Sequence, residues 1–432
     1  MDLSSSRMTV RAQDDQTAGV AVKADTLIRR GQMSRRNAWI VVGALFVAAI
    51  AIPVNQYKVP PVMPVLMEAF RLDLTTANLL MSVFSLSGLL LAIPAGFIVQ
   101  RVGPKRMGLV SLGSVVVGAL LGALASGTAA LLVSRTIEGL SFVLMMVVAP
   151  AIIAVWFGSE ERGAPMGIFA TWVPVGSMIA LNVAPALASA FGWQVIWWFG
   201  AAYGAVAFLV FWALVRMPSP VAATADVSNA RANAAHSRSP SMATMGRALA
   251  NRNVWLLGIL FFCFTLCLPG FMTNMPTFLH TVRGYPLGIA AFIVSLSSVA
   301  TIISCPVAGW ISDRIGSRKL VYTIAFLVIA ALWLLPFRVT GVGIPLFMIV
   351  FGVFAGVIPT MIFAAVPEVM DRPELAGIGM GGVVTLQNLG LLLGPVMFAR
   401  IVQISGRWEV AGYALIPICL IGVVVGLLVE VR

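Results

Sequence analysis

Gly309-Trp310-Ile311-Ser312-Asp313-Arg314-Ile315-Gly316-Ser317-Arg318-Lys319 closes one long apolar stretch, and Gly96-Phe97-Ile98-Val99-Gln100-Arg101-Val102-Gly103-Pro104-Lys105-Arg106 closes another. The two segments lie 213 residues apart and share their glycines and their basic ends. At the same offset Ser82 answers Ser295 and Ser85 answers Ser298. Near that offset, Gly192-Trp193 echoes Gly406-Arg407-Trp408. A chain that repeats itself at this spacing is built from two similar halves in the same orientation.

Around these loops run stretches that contain no Asp, Glu, Lys or Arg: 37–57, 74–100, 107–134, 139–159, 163–215, 253–282, 284–312, 320–337, 339–367, 375–399 and 410–429. A bilayer core about 30 Å thick needs roughly 20 apolar residues of helix. The stretch 163–215 is long enough for two helices, and Phe191-Gly192-Trp193 supplies a turn in its middle. The pattern predicts an all-α polytopic membrane protein with twelve transmembrane helices. Spanning β-strands would be about half as long and would alternate in polarity. Composition agrees. Of 432 residues 60% are hydrophobic and 10% charged, against about 25% charged in a soluble domain.

Twelve crossings put both termini on one side. With that side cytoplasmic, all but seven of the 28 Lys and Arg residues fall in cytoplasmic segments, as the positive-inside rule requires. The exceptions are Lys58, Arg71, Arg135, Arg283, Arg338, Arg400 and Arg407. The net charge of +12 therefore reads as a topology signal facing anionic headgroups, not as a nucleic-acid surface. Residues 1–34 read as a disordered cytoplasmic tail, 35–216 as a six-helix half, 217–252 as a cytoplasmic linker and 253–432 as the second half. The lack of an N-x-[ST] sequon fits a bacterial inner membrane protein. Cys263, Cys267, Cys305 and Cys419 lie in apolar stretches without metal-ligand spacing, and read as reduced thiols. No metal, cofactor or catalytic constellation is expected. The chain also lacks a G-x-x-x-x-G-K-[ST] loop, so any work it does draws on a gradient.

The segment Gly309-x3-Asp313-Arg314-x-Gly316-x-Arg318-Lys319 resembles the cytoplasmic loop signature of the major facilitator superfamily, and the first-half copy departs from it only in carrying Gln100 in place of an Asp. Arg135-x-x-x-Gly139 resembles the superfamily's fourth-helix arginine motif, and Trp156-Phe157 with Glu161-Arg162-Gly163 its next cytoplasmic loop. The resemblance covers residues 38–430. It implies that span two lies beside span eleven and span eight beside span five at the cytoplasmic face. Asp313 would then cap the start of span five near Ala164-Pro165 and lock the halves together on that side, with Arg314, Arg318 and Lys319 holding the loop. Gln100, without charge, would make a weaker lock beside span eleven. The gating set is Gly96, Gln100, Arg101, Gly103, Gly309, Asp313, Arg314, Gly316, Arg318 and Lys319. The alternative is that the basic residues serve topology only.

Ionisable residues at membrane depth are functional candidates. Arg135 and Glu138 share a face of span four and are expected to pair. One reading makes Arg135 an anion anchor and Glu138 a proton carrier; the other makes them a structural pair. Span one ends with Asn55, Gln56 and Lys58, all able to donate to a solute, although Lys58 has the alternative of reaching the outer headgroups. Trp172, Asn274, Gln387 and Asn388 complete the candidate substrate set. Ser177, Ser295, Ser298 and Thr301 are weaker candidates. The Gly-x-x-x-Gly pairs 118/122, 200/204, 352/356, 390/394 and 422/426 are expected to bring helices of the same chain together.

These residues predict a monomeric secondary transporter for a small, anionic solute, moved inward with protons by alternating access. Spans one, two and eight are similar to nitrate/nitrite-type and cyanate-type permeases of the superfamily. Span five, Gly167 to Pro174, lacks the glycine-asparagine signature of true nitrate permeases, so a small organic acid stands beside nitrate as the expected solute. The alternatives are proton-driven efflux of hydrophobic compounds and a transporter-like membrane sensor.

Overall fold

The structure is a computed structural model that describes residues 35–157, 161–217, 251–370 and 376–430. The expected tail, nearly all of the expected linker and the side chain of Gln100 lie outside the described residues. Among those residues the chain is helical and has no strand.

Eleven helices among the described residues are long and apolar enough to cross a membrane. They are Arg35–Phe70 (span one), Leu74–Ser82 with Leu86–Val102 (two), Pro104–Ala123 (three), Thr128–Trp156 (four), Gly163–Phe191 (five), Gln194–Leu214 (six), Arg252–Thr281 (seven), Leu287–Ile315 (eight), Gly343–Val369 (ten), Ala376–Ser405 (eleven) and Trp408–Leu428 (twelve). Span nine, Arg318–Leu332, is shorter. At 1.5 Å per residue it covers about 22 Å, and turns at Trp333, Leu334 and Leu335 carry it further.

The repeated loops have a backbone reason for their glycines. Gly103 and Gly316 end spans two and eight with φ of +94° and +69°, a region that L side chains rarely occupy. Asp73 caps span two by accepting the Thr76 N–H, Asn251 caps span seven and Ser317 caps span nine. Three spans are broken, span two by the 3-10 turn Val83–Ser85. Span one stops being α-helical at Lys58, where Pro60 and Pro61 remove two backbone donors. Span five breaks at Thr171, and Pro174 follows in the first turn of the next segment.

The two halves pack by the same scheme. Span three lies against spans four and six, and span nine against ten and twelve; span two lies against four, and eight against ten. The small-residue pairs make these contacts within the chain, as expected. A Cβ at Gly118 or Gly122 would run into Glu138 or Trp197. One at Gly352 or Gly356 would meet span eight, one at Gly390 or Gly394 span seven, and one at Gly422 or Gly426 Phe326 or Tyr322. Between the halves, span five lies against eight and span two against eleven, and the Pro60–Val62 turn reaches spans seven and eight.

Candidate functional site

Three charged side chains meet where span one breaks. Lys58, Arg135 and Glu138 are 2%, 0% and 0% exposed. Lys58 Nζ donates to Glu138 Oε1 at 2.6 Å, and Arg135 Nη1 donates to Glu138 Oε2. The two carboxylate oxygens are thus each held by a different cation, and the cluster carries a net charge of +1. An uncompensated buried charge is costly, so such groups persist only when paired and hydrogen-bonded.

The helix breaks supply the remaining partners. Pro60 has no N–H to return to the Gln56 carbonyl, so that oxygen is free to accept Arg135 Nη2 at 2.9 Å. The Asn55 carbonyl, at the frayed helix end, accepts Nη1 at 2.7 Å. The Leu80 carbonyl, just before the 3-10 turn Val83–Ser85 of span two, accepts Nε at 2.9 Å. The second Nη2 proton faces Met81 Sδ at 3.8 Å, and the guanidinium lies over the Phe84 ring. All five donors of Arg135 are occupied by protein groups. Lys58 uses two of its three donors: Nζ also donates to Asn55 Oδ1 at 2.8 Å, and it sits 4.8 Å from the centre of the Trp197 ring. The Asn55 amide donates to the carbonyls of Ala51 and Gly200. Gly200 permits that approach, because a Cβ there would collide with the Asn55 carboxamide.

Of the residues singled out from the sequence, Asn55, Gln56, Lys58, Arg135 and Glu138 come together here. Lys58 turns inward, and the alternative of headgroup contact falls away. Others lie elsewhere. Trp172 is stacked between Phe142 and Phe169, both rings 5.3 Å away, so its faces are covered. Asn388 is buried beside Gly88, at the crossing of spans two and eleven. Gln387 gives its carbonyl to Thr265. Ser177 and Ser298 are hydrogen-bonded to each other at 2.9 Å and join spans five and eight.

Asn274 belongs to a different device. Its amide donates to Asn78 Oδ1 at 2.8 Å, and the Asn78 amide donates back to Asn274 Oδ1 at 2.9 Å. Nearby, Thr75 donates to Gln403 Oε1, and Gln403 Nε2 donates to Asp73 Oδ2 at 2.7 Å. Hydrogen bonds from Thr76 and Gln403 hold the Asp73 carboxyl below the usual carboxylate range. This clasp ties the first half to the second at the end of the bundle opposite the chain termini. Asn78, Thr75 and Gln403 escaped the sequence reading. Their only signal was polarity inside apolar stretches, and their partners lie up to 330 residues away.

At the termini end the expected lock is not formed in this conformation. Asp313 is 75% exposed, with only Arg318 near it at 4.0 Å, and the start of span five receives no side-chain cap. Arg318 instead pairs with Glu368 of span ten at 2.6 Å. Lys319 donates to the Val429 carbonyl at the end of span twelve, and Lys105 to the Trp212 carbonyl at the end of span six. The loop cations therefore brace the ends of other helices, where the helix dipole favours positive charge. Arg314 rests on Trp310, and Arg101 is exposed. A Cβ at Gly96 or Gly309 would meet nothing within 4 Å, so neither glycine serves a close contact here.

The family model of the Major Facilitator Superfamily matches residues 45–395 and 290–432. The chain belongs to this superfamily. A facilitator of this kind is a transporter rather than an enzyme. It aligns over 84% of its length with the hexuronate transporter of Bacillus subtilis, at 22% identity and over 88% of that protein. It also aligns over 67% of its length with a chloroplast protein of Arabidopsis thaliana named as a sodium-dependent phosphate transport protein, at 24% identity. The chain spans 59% of that relative's length and 32% of another's. The crystal structure of the nucleoside transporter NupG superposes on 90% of this facilitator and 99% of its own chain with a TM-score of 0.72. At 15% identity, that likeness shows the fold alone.

Proposed function

We propose that this facilitator is a secondary active transporter that carries a small anionic solute together with a proton, inward across a bacterial inner membrane. The observation that carries the reading is that Glu138 occupies a donor of both Lys58 and Arg135, while backbone carbonyls and Met81 take the other Arg135 donors. While Glu138 is ionised, Arg135 has no donor to spare for an incoming anion, and the one Lys58 donor outside its two hydrogen bonds lies beside the Trp197 ring. Protonating Glu138 removes the negative charge and releases Lys58 Nζ and Arg135 Nη1. The carboxylate or phosphate of a solute then takes those donors, and the net charge of the cluster returns to +1. Proton and anion thus load together, because either one alone leaves buried charge uncompensated.

Loaded and empty centres carry equal charge, so both can accompany the rocking of one half against the other. The basic residues at the termini end assign that end to the cytoplasm. The Asn78–Asn274 clasp then seals the outer face, and the conformation is inward-facing. The relatives named for hexuronate and phosphate transport act on anions, which supports the same solute class. In proteoliposomes, adding a transported anion outside is expected to alkalinise the medium as protons enter with it. Anion uptake with no proton movement would overturn the coupling, and binding without net flux would favour the sensor.

A further inference from the structure

We propose that Gln56 and Ser82 form an uncharged second half of the solute site, so that the solute carries a hydroxyl group as well as its anionic one. The proposal rests on the anion reading above. Gln56 Oε1 and Ser82 Oγ find no hydrogen-bond partner among the described residues, although their residues are only 5% and 1% exposed. Buried polar atoms are nearly always paired, and a specific orphan calls for a partner.

Both atoms belong to chain segments gripped by one guanidinium. Arg135 Nη2 holds the Gln56 carbonyl and faces Met81 Sδ, while Nε holds the Leu80 carbonyl. Ser82 follows Met81 directly. The same guanidinium uses Nη1 on Glu138, the group that an anion would replace. On span two, Asn78 lies one helical turn from Ser82 toward the far end and closes the clasp with Asn274. Gln56 lies on span one just before the break at Lys58, and beyond that break the sulfur of Met63 faces the Asn78 amide at 3.7 Å. The two orphan oxygens therefore belong to the segments of spans one and two that meet at the ion cluster. Trp197 Nε1 is also unpaired, but it packs at Gly122 between spans three and four.

The chemistry selects the ligand. The oxygen of a glutamine carboxamide only accepts, so it asks for a donor on the solute. A serine hydroxyl does both. With two cations for the anionic group, the matching solute is a hydroxy acid or a sugar acid. A site built to hydrogen-bond a hydroxyl rejects the analogue that lacks it far more strongly than an apolar pocket rejects an extra group.

The test uses proteoliposomes and paired probes: sodium lactate against propionate, and sodium gluconate against hexanoate. The wild-type protein is expected to favour the hydroxylated member of at least one pair by about ten-fold or more. In Gln56→Met and Ser82→Ala the preference should shrink by about ten-fold each. The preference is a ratio within one preparation, so it is independent of how much protein folds. Equal uptake of both members by the wild type, or an undiminished ratio in both variants, overturns the proposal and leaves the anion reading standing. A wild-type protein that moves none of the four anions overturns the hydroxy-acid proposal, and uptake of inorganic phosphate by the same proteoliposomes then decides whether the anion reading stands.

Discussion

Arg135 does the work of a clamp before it does any work of transport. It joins spans one, two and four through carbonyls that the local helix breaks leave free. A lysine offers a point charge on a flexible stem and cannot bridge three carbonyls and a carboxylate. Arg135→Lys is expected to lower the thermal stability of the purified protein steeply, which a melting curve in detergent reads. The charge cluster gives a second test. Glu138→Gln leaves two cations without an anion, and Lys58→Met removes one side of the pair; each is expected to cost about 3–5 kcal/mol. The double variant Lys58→Met/Glu138→Gln removes one charge of each sign, so its melting point should lie above that of Glu138→Gln alone. Strict additivity would contradict the pairing. Lys58, Arg135 and Glu138 were legible in the sequence because charge at membrane depth is rare. The inward turn of Lys58 was not, since residues near a helix end can reach either headgroups or a partner. The carbonyl partners of Arg135 were also hidden, because they depend on where the helices break.

At the scale of helices, the structure seals one end with amides and leaves the other without its lock. Two amide–amide bonds between Asn78 and Asn274, each worth about 0.5–1.5 kcal/mol, favour the clasped state. Asn78→Leu is therefore expected to shift the protein toward opening at the far end. A cysteine placed at Ser82 should then be labelled several-fold faster by an impermeant maleimide added outside; unchanged labelling would show that the clasp does not gate. Asp73 contributes with its carboxyl ionised. Its depressed pKa means that this contribution is present at neutral pH and fades only as pH falls through that lowered value, so labelling should be flat between pH 6 and 8. Asp313 belongs to the opposite state, in which it would cap span five. Asp313→Asn is expected to cut uptake while leaving insertion intact. The loops were readable from their glycines and charges. The clasp was not, because uncharged polar residues in apolar helices carry no mark of which neighbour they face.

Across the whole molecule, the repeat shares scaffold but not chemistry. Both halves pack their helices alike, yet among the described residues the fully charged buried side chains, Lys58, Arg135 and Glu138, all lie in the first half. The second half supplies Asn274, Asn388 and hydroxyl groups, along with an apolar core rich in aromatic rings. In the proposed mechanism one half holds the charge exchange while the other closes over it. The proposed orientation, with the basic loops cytoplasmic, predicts that a tag at either end is digested only in inside-out vesicles.

The account stands or falls on Glu138 as the shared seat of proton and anion. The decisive measurement compares wild type and Glu138→Gln in proteoliposomes for two activities: accumulation of a labelled anion driven by an inward proton gradient, and exchange of that anion at equilibrium. The wild type should do both, and the variant should exchange without accumulating. A variant that accumulates the anion as the wild type does would contradict the account.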